Sequence, residues 1–151
     1  MRRHIAYLKY ILRHKYFVFI AGMTLGKWFV FHDMSKFLPS EWFPYAFTFY
    51  DVKGQKRYHE NEDFNQAWNA HQKRNKHHWQ YWLLKMDRGD VIALDMPHHY
   101  IFEMVADWAG AGRAITGKWE VKKWYESNKQ NIIISDTTRE IVELLLNNRK
   151  F

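Results

Sequence analysis

The chain has 151 residues, of which 47% are hydrophobic and 19% are aromatic, and this composition excludes an intrinsically disordered protein. It contains no cysteine, which excludes disulfide frameworks, thiolate zinc sites, iron–sulfur clusters and cysteine nucleophiles. Lys and Arg number 23 against 16 Asp and Glu. The resulting formal net charge of +7 favours a polyanionic partner, such as a nucleotide, a nucleic acid or an anionic lipid surface.

The distribution of apolar residues predicts an all-α fold. The 7 Gly and 3 Pro residues are too few for the turns of an all-β domain. Apolar positions recur at helical spacing, so we expect a single domain over residues 1–151 with five to seven helices and no β-meander. The predicted helices span residues 3–26, 29–37, a segment starting at 41, and residues 63–85, 97–114, 119–128 and 137–148.

Local signals predict where several of these helices begin and end. Pro39 is expected to end the second helix. Thr137 and Glu140 form a capping-box pattern at the start of the last helix. Polar loops are expected over residues 51–62 and 86–95.

The apolar segment 16–31 raises the question of a membrane span. It has 16 residues and contains Lys27, whereas a spanning helix needs about 20 apolar residues. We therefore expect a buried helix here and no membrane span.

Histidine and acidic side chains lie on several separate predicted helices, which is the pattern of a metal site. Imidazole and carboxylate ligands suit divalent ions such as Mn, Fe, Zn, Ni, Co or Mg, so we expect one or two such ions. On a continuous helix His71, Asn75 and His78 share one face, and His77 lies one position away from it. The predicted metal ligands are His14, His32, Asp33, His71, His77, His78 and Asp107.

Four of these residues resemble a known signature. His14, the adjacent pair His32-Asp33 and the distal Asp107 resemble the metal-binding signature of the HD-domain superfamily of phosphohydrolases, whose members are all-α. The resemblance implies that these four side chains bind a divalent metal ion.

The segment 32–36 is also similar to the His-Asp-x-Gly-Lys form of the HD-GYP branch, with Ser35 in place of Gly. That branch has a further His and a His-His pair, which His71 and His77-His78 resemble at a shorter separation. The likeness implies room for more than one metal ion. The Gly-Tyr-Pro motif is absent, so no specificity for cyclic-di-GMP is implied.

Most of the chain resembles an uncharacterised family of small phage and bacterial HD-like proteins. The segments 10–15, 32–37, 71–79 and 103–108 carry this likeness. It implies the fold and the metal but no substrate. Together with the absence of cysteine, it favours a cytoplasmic location, which is the host cytoplasm if a phage encodes the chain.

The function expected from these residues is metal-assisted hydrolysis of a phosphate ester, with a nucleotide as the first choice of substrate. We expect Asp33 to bridge two ions and Lys36 to contact the phosphate. Glu103 is expected to act as a general base or to orient a metal ligand. The predicted substrate contacts are Lys36, Arg74, Asn75 and Arg113.

Two other functions fit the same residues. A nuclease or cyclic-nucleotide phosphodiesterase would use the same metal site beside a continuous basic groove. A non-catalytic module would bind nucleic acid or protein around a structural metal, and the aromatic content makes a homodimer possible. Residues 112–118 match the start of a P-loop, but Trp119 replaces the expected Ser or Thr and a helix precedes the segment, so we reject that motif.

Overall fold

Six α-helices form most of the computed structural model, which describes residues 1–151, and the predicted all-α fold class is confirmed. Three short 3₁₀ turns, Met34–Phe37, Trp79–Trp82 and Lys129–Asn131, lie between them. No helix combines the length and the apolar character needed to cross a membrane. The helices are α1 (Arg2–Thr24), α2 (Pro39–Phe49), α3 (Glu62–Arg74), α4 (His98–Thr116), α5 (Val121–Asn128) and α6 (Asp136–Asn148).

The contact between α1 and α4 is the centre of the larger hydrophobic core. Small residues allow it: a Cβ atom at Gly110 would lie only 2.6 Å from the backbone nitrogen of Val18. This close approach fixes the relative position of the two helices. His14 lies about one turn before Val18, and Asp107 about one turn before Gly110, so the same contact brings these two polar side chains together.

A second, smaller core joins α1, α2 and α3 and is rich in aromatic side chains. Tyr7, Tyr45 and Tyr50 are buried in it together with Ile11 and Ala67. This core positions α3 beside α2, so the end of α3 faces the same region as His14.

The predicted helix over 63–85 is wrong after Arg74, where α3 ends. Asn75 has an extended backbone; its backbone N–H closes the last helical turn on the His71 carbonyl, which also accepts from the Asn75 side-chain amide at 2.9 Å. The loop predicted over residues 86–95 is wrong in part, because strand β2 (Val91–Ala93) lies in it and pairs with β1 (Leu83–Lys85) in a short antiparallel hairpin. The expected helical face shared by His71, Asn75 and His78 therefore does not exist.

The helix predicted over 29–37 is reduced to the 3₁₀ turn at its end. Pro39 begins α2 rather than ending a helix, because proline fits the first helical turn, where a missing N–H is tolerated. The last helix is capped by Ser135, whose hydroxyl accepts from the Thr138 N–H, and not by Thr137. Residues 112–116 of the P-loop-like segment form the end of α4, and Gly117 terminates the helix.

Candidate metal centre

The seven predicted ligands lie together in one buried cluster. α1 supplies His14, and α4 supplies Asp107. The turn before the first 3₁₀ segment supplies His32 and Asp33, and the end of α3 with the following turn supplies the remaining histidines. We define site 1 as His14, His32, Asp33 and Asp107, and site 2 as Asp33, His71, His77 and His78.

Site 1 brings nitrogen and oxygen donors within contact distance. The Nε2 atoms of His14 and His32 are 3.2 Å apart, and each lies 3.2 Å from Oδ1 of Asp107. Donor atoms that share one ion at about 2.0–2.1 Å are expected to lie roughly 3–3.4 Å from one another. The spacing in site 1 therefore fits a single divalent ion.

Site 2 has three imidazole nitrogens that the protein leaves without partners. The Nε2 atoms of His71, His77 and His78 are buried and have no hydrogen-bond partner. Those of His71 and His77 each lie 3.4 Å from Oδ1 of Asp33. Since buried polar atoms are rarely left unpaired, these nitrogens fit a metal site.

Asp33 joins the two sites through its two carboxylate oxygens. Oδ2 lies 3.3 Å from Nε2 of His32 in site 1, whereas Oδ1 faces His71 and His77 in site 2. Asp33 is also the one non-glycine residue with a positive φ, at 53°. This left-handed conformation is unfavourable for most residues and often occurs at functional sites, where the surrounding structure holds it in place.

Glu41 on α2 orients His71, and sequence reasoning missed it. Its Oε2 lies 2.7 Å from Nδ1 of His71, and its Oε1 accepts from Arg74 at 2.7 Å. The Ser35 hydroxyl donates to the same carboxylate at 3.0 Å and so helps to hold it in place. Burial opposes ionisation of Glu41, but the hydrogen bonds from His71 and Arg74 outweigh it and lower its pKa. A carboxylate on Nδ1 leaves Nε2 of His71 free to bind a metal.

Glu103 on α4 makes the corresponding contact with two histidines. Its Oε1 lies 3.0 Å from Nδ1 of His32 and 3.4 Å from Nδ1 of His77, so it touches one histidine of each site. Burial opposes its charge, but the hydrogen bonds from both histidines lower the pKa of Glu103 to about 2. This geometry fits the orienting role, which was one of its two expected roles.

The electrostatics of the cluster suit a cation. Burial opposes the charge on Asp33, but His32 and Lys36 hold its pKa well below the usual range. Hydrogen bonds from His14 and His32 do the same for the buried Asp107. Burial and the neighbouring His77 lower the pKa of His78 to about 2, so this imidazole is neutral, which is the form that binds metals.

A cavity of about 580 Å³ opens next to the cluster. His14 and Asp107 from site 1, His78 from site 2 and Lys36 all line it. The Lys36 ammonium lies 2.6 Å from Oδ2 of Asp33, and its side chain is only 12% exposed. Lys36 therefore places a positive charge where the cavity meets the cluster.

The other three predicted substrate contacts do not line this cavity. Arg74 forms an ion pair with Glu41. Asn75 donates to the Ser35 hydroxyl at 2.8 Å, and so supports the residues around His71. Arg113 lies over the rings of Phe17 and Trp119. These three side chains therefore lie outside this cavity, and their contacts with a substrate stay predictions.

The chain matches the profile of a protein family. Neither the curated proteins nor the solved structures contain a significant match. The profile of DUF5662, described as a family of unknown function, matches residues 3–148, a range that includes both proposed sites. That description specifies no fold or activity, so HD-type chemistry stays a prediction. The chain belongs to the DUF5662 family.

Proposed function

We propose that this protein is a metal-dependent phosphohydrolase that cleaves phosphate esters, with nucleotides as the first substrate class to test. The observation that carries the proposal is the position of Asp33. Its two carboxylate oxygens face two sets of buried donors, and residues of both sets line one cavity. Two donor sets that share a carboxylate are a common arrangement for phosphate-ester hydrolysis.

The donor set supports a divalent transition metal. Five imidazoles and two carboxylates offer nitrogen and oxygen ligands, and thiolates are absent. Such an ion supplies Lewis acidity, which activates water near neutral pH and neutralises charge on phosphoryl oxygens.

The remaining residues of the cluster have supporting roles. Glu41 and Glu103 are positioning residues, because each accepts from the Nδ1 side of an imidazole and so directs Nε2 towards the cluster. Lys36 is the group that contacts the phosphate, since its ammonium is buried at the boundary between the cluster and the cavity.

The size of the cavity favours a small ester over a polymer. About 580 Å³ is within the range of roughly 300–1,000 Å³ that holds one small ligand. A nuclease acting within a long strand would need an extended groove instead.

The proposal is tested by metal analysis followed by an activity screen. Protein purified without chelators is analysed for Mn, Fe, Zn, Ni, Co and Mg, and each ion is then added back. The screen covers nucleoside mono- and triphosphates, cyclic dinucleotides and single-stranded DNA. Asp33→Asn should abolish both metal retention and hydrolysis, whereas Asp95→Asn, at an exposed position outside the cluster, should change neither.

Circular dichroism checks that both variants keep the helical fold. The proposed phosphohydrolase activity is contradicted if the protein binds none of these ions, or if it binds them but hydrolyses no phosphate ester in the screen. If the protein cleaves DNA but not nucleotides, its activity is that of a nuclease and not of a nucleotidase.

A further inference from the structure

The cavity beside the metal centre has walls that phosphate binding does not require. Seven of its fifteen lining residues are aromatic, and most of its exposed wall is apolar. Tyr10 is stacked on His14 with centroids 6.0 Å apart, and Trp68 is stacked on His71 at 5.6 Å. These rings therefore extend directly from both metal sites into the cavity.

Polar groups in the walls are few. The Tyr7 and Tyr45 side chains line the cavity through their rings, because both hydroxyl oxygens are buried and inaccessible. An apolar pocket with a few polar groups is the usual form of a small-molecule site.

The charges of the lining residues also select the ligand. Lys36 lies at the inner end, and the exposed Lys56 and Arg57 lie on the solvent side. Asp107, which belongs to site 1, is the lone carboxylate among the lining residues. A cationic cavity with aromatic walls is complementary to an anionic ligand that carries a flat ring.

We propose that this cavity binds the organic half of the substrate, and that the substrate class is a small phosphate monoester carrying a flat aromatic or heteroaromatic ring. The inference rests on the proposed function, because the metal centre is what holds the phosphate. The ring stacks on the aromatic wall. Nucleoside monophosphates and simple aryl phosphates share this chemistry.

Ala111 on α4 offers a way to fill the cavity without replacing a metal ligand. It lines the cavity one turn after Asp107 and is half-buried. The adjacent Gly112 does not line the cavity, and a Cβ atom there would meet nothing within 4 Å. Ala111→Phe therefore adds a ring inside the cavity, whereas Gly112→Phe adds the same ring to the same helix outside it.

The first measurement is calorimetric binding of adenosine, cytidine and ribose to the protein as purified, which needs no turnover. We expect both nucleosides to bind and ribose not to bind. Ala111→Phe should weaken nucleoside binding about tenfold or more, as expected for the loss of a stacked ring. Gly112→Phe should leave the affinity within a factor of two of the original protein.

The second measurement is kcat/KM for five esters: AMP, CMP, p-nitrophenyl phosphate, ribose 5-phosphate and hexyl phosphate. For each ester the ratio of variant to original protein cancels the intrinsic reactivity of the leaving group. Ala111→Phe should lower this ratio about tenfold more for the three esters that carry an aromatic ring than for ribose 5-phosphate. If this ratio falls strongly for the nucleotides but not for p-nitrophenyl phosphate, the cavity binds nucleosides rather than aromatic rings in general.

The two proposals fail in different ways. One outcome is that phosphate esters are hydrolysed while Ala111→Phe lowers kcat/KM equally for esters with and without an aromatic ring. In that case the inference about the cavity is wrong, and the proposed phosphohydrolase activity is supported. The inference is also wrong if hexyl phosphate responds to Ala111→Phe as strongly as AMP, since an alkyl chain would then be the ligand. If nucleosides bind in the cavity but no ester is hydrolysed, the proposed function fails instead.

Discussion

Replacing Glu41 by Gln should weaken metal binding at site 2 and leave site 1 intact. Among the proposed ligands Glu41 contacts His71 alone, with its Oε2 2.7 Å from Nδ1. Glu103 differs because one of its oxygens contacts both His32 and His77. Glu103→Gln should therefore weaken both sites, and the pair of variants separates the two donor sets.

The size of the effect follows from the contact that is lost. Carboxylates that hold a metal-binding histidine contribute about 10- to 100-fold to metal affinity, which is roughly 1.4–2.7 kcal/mol. Gln keeps an oxygen that can accept from the Nδ1–H of His71 but removes the charge and the ion pair with Arg74. We therefore expect about a tenfold loss at site 2 for Glu41→Gln.

The assay is a competition titration of the demetallated protein against a chelator of known affinity, which resolves two successive dissociation constants. Glu143→Gln is the matched control, because that carboxylate accepts from the Tyr125 hydroxyl and contacts no residue of either site. Thermal denaturation checks that all three variants fold. If Glu41→Gln weakens both binding steps equally, or neither, the assignment of Glu41 to site 2 is refuted.

Three further changes test other parts of the structure. Gly110→Ala places a methyl group 2.6 Å from the Val18 backbone nitrogen, so the free energy of unfolding should fall by about 1–3 kcal/mol; an unchanged Tm would contradict the close packing of α1 and α4. Asn61→Ala removes the cap of α3, whose side chain accepts from the Phe64 N–H at 2.9 Å, and urea denaturation should show a loss of about 0.5–2 kcal/mol. Lys36→Met should raise KM for a nucleoside monophosphate about tenfold or more, since a charged contact to phosphate is lost; a normal KM with normal kcat would remove Lys36 from the substrate site.

The helical character of the chain was predictable because periodicity is a local property. Apolar residues along α1 and α4 recur at helical spacing whatever the rest of the chain does. The end of α3 was not predictable in this way. The segment after Arg74 keeps a helix-like pattern, but its backbone turns to direct His77 and His78 into the cluster and then enters the hairpin.

The candidate ligands were identifiable by residue type, since few side chains bind divalent ions and the His-Asp pair is conspicuous. Their grouping into two sites was not, because it depends on contacts between residues far apart along the chain. The contact of Glu41 with His71 spans 30 positions, and that of His32 with Glu103 spans 71. No local pattern distinguishes Glu41 from a carboxylate in the first turn of an exposed helix.

The sequence by itself determined which chemical groups are available and that helices carry most of them. Tertiary structure decided which groups meet, through the close approach of α1 to α4 at Gly110 and the left-handed turn at Asp33. It also decided that aromatic residues of the smaller core line a cavity beside the metal centre. The physical reason is that helix formation depends on neighbours within a few residues, whereas metal ligation and cavity shape depend on how whole helices pack.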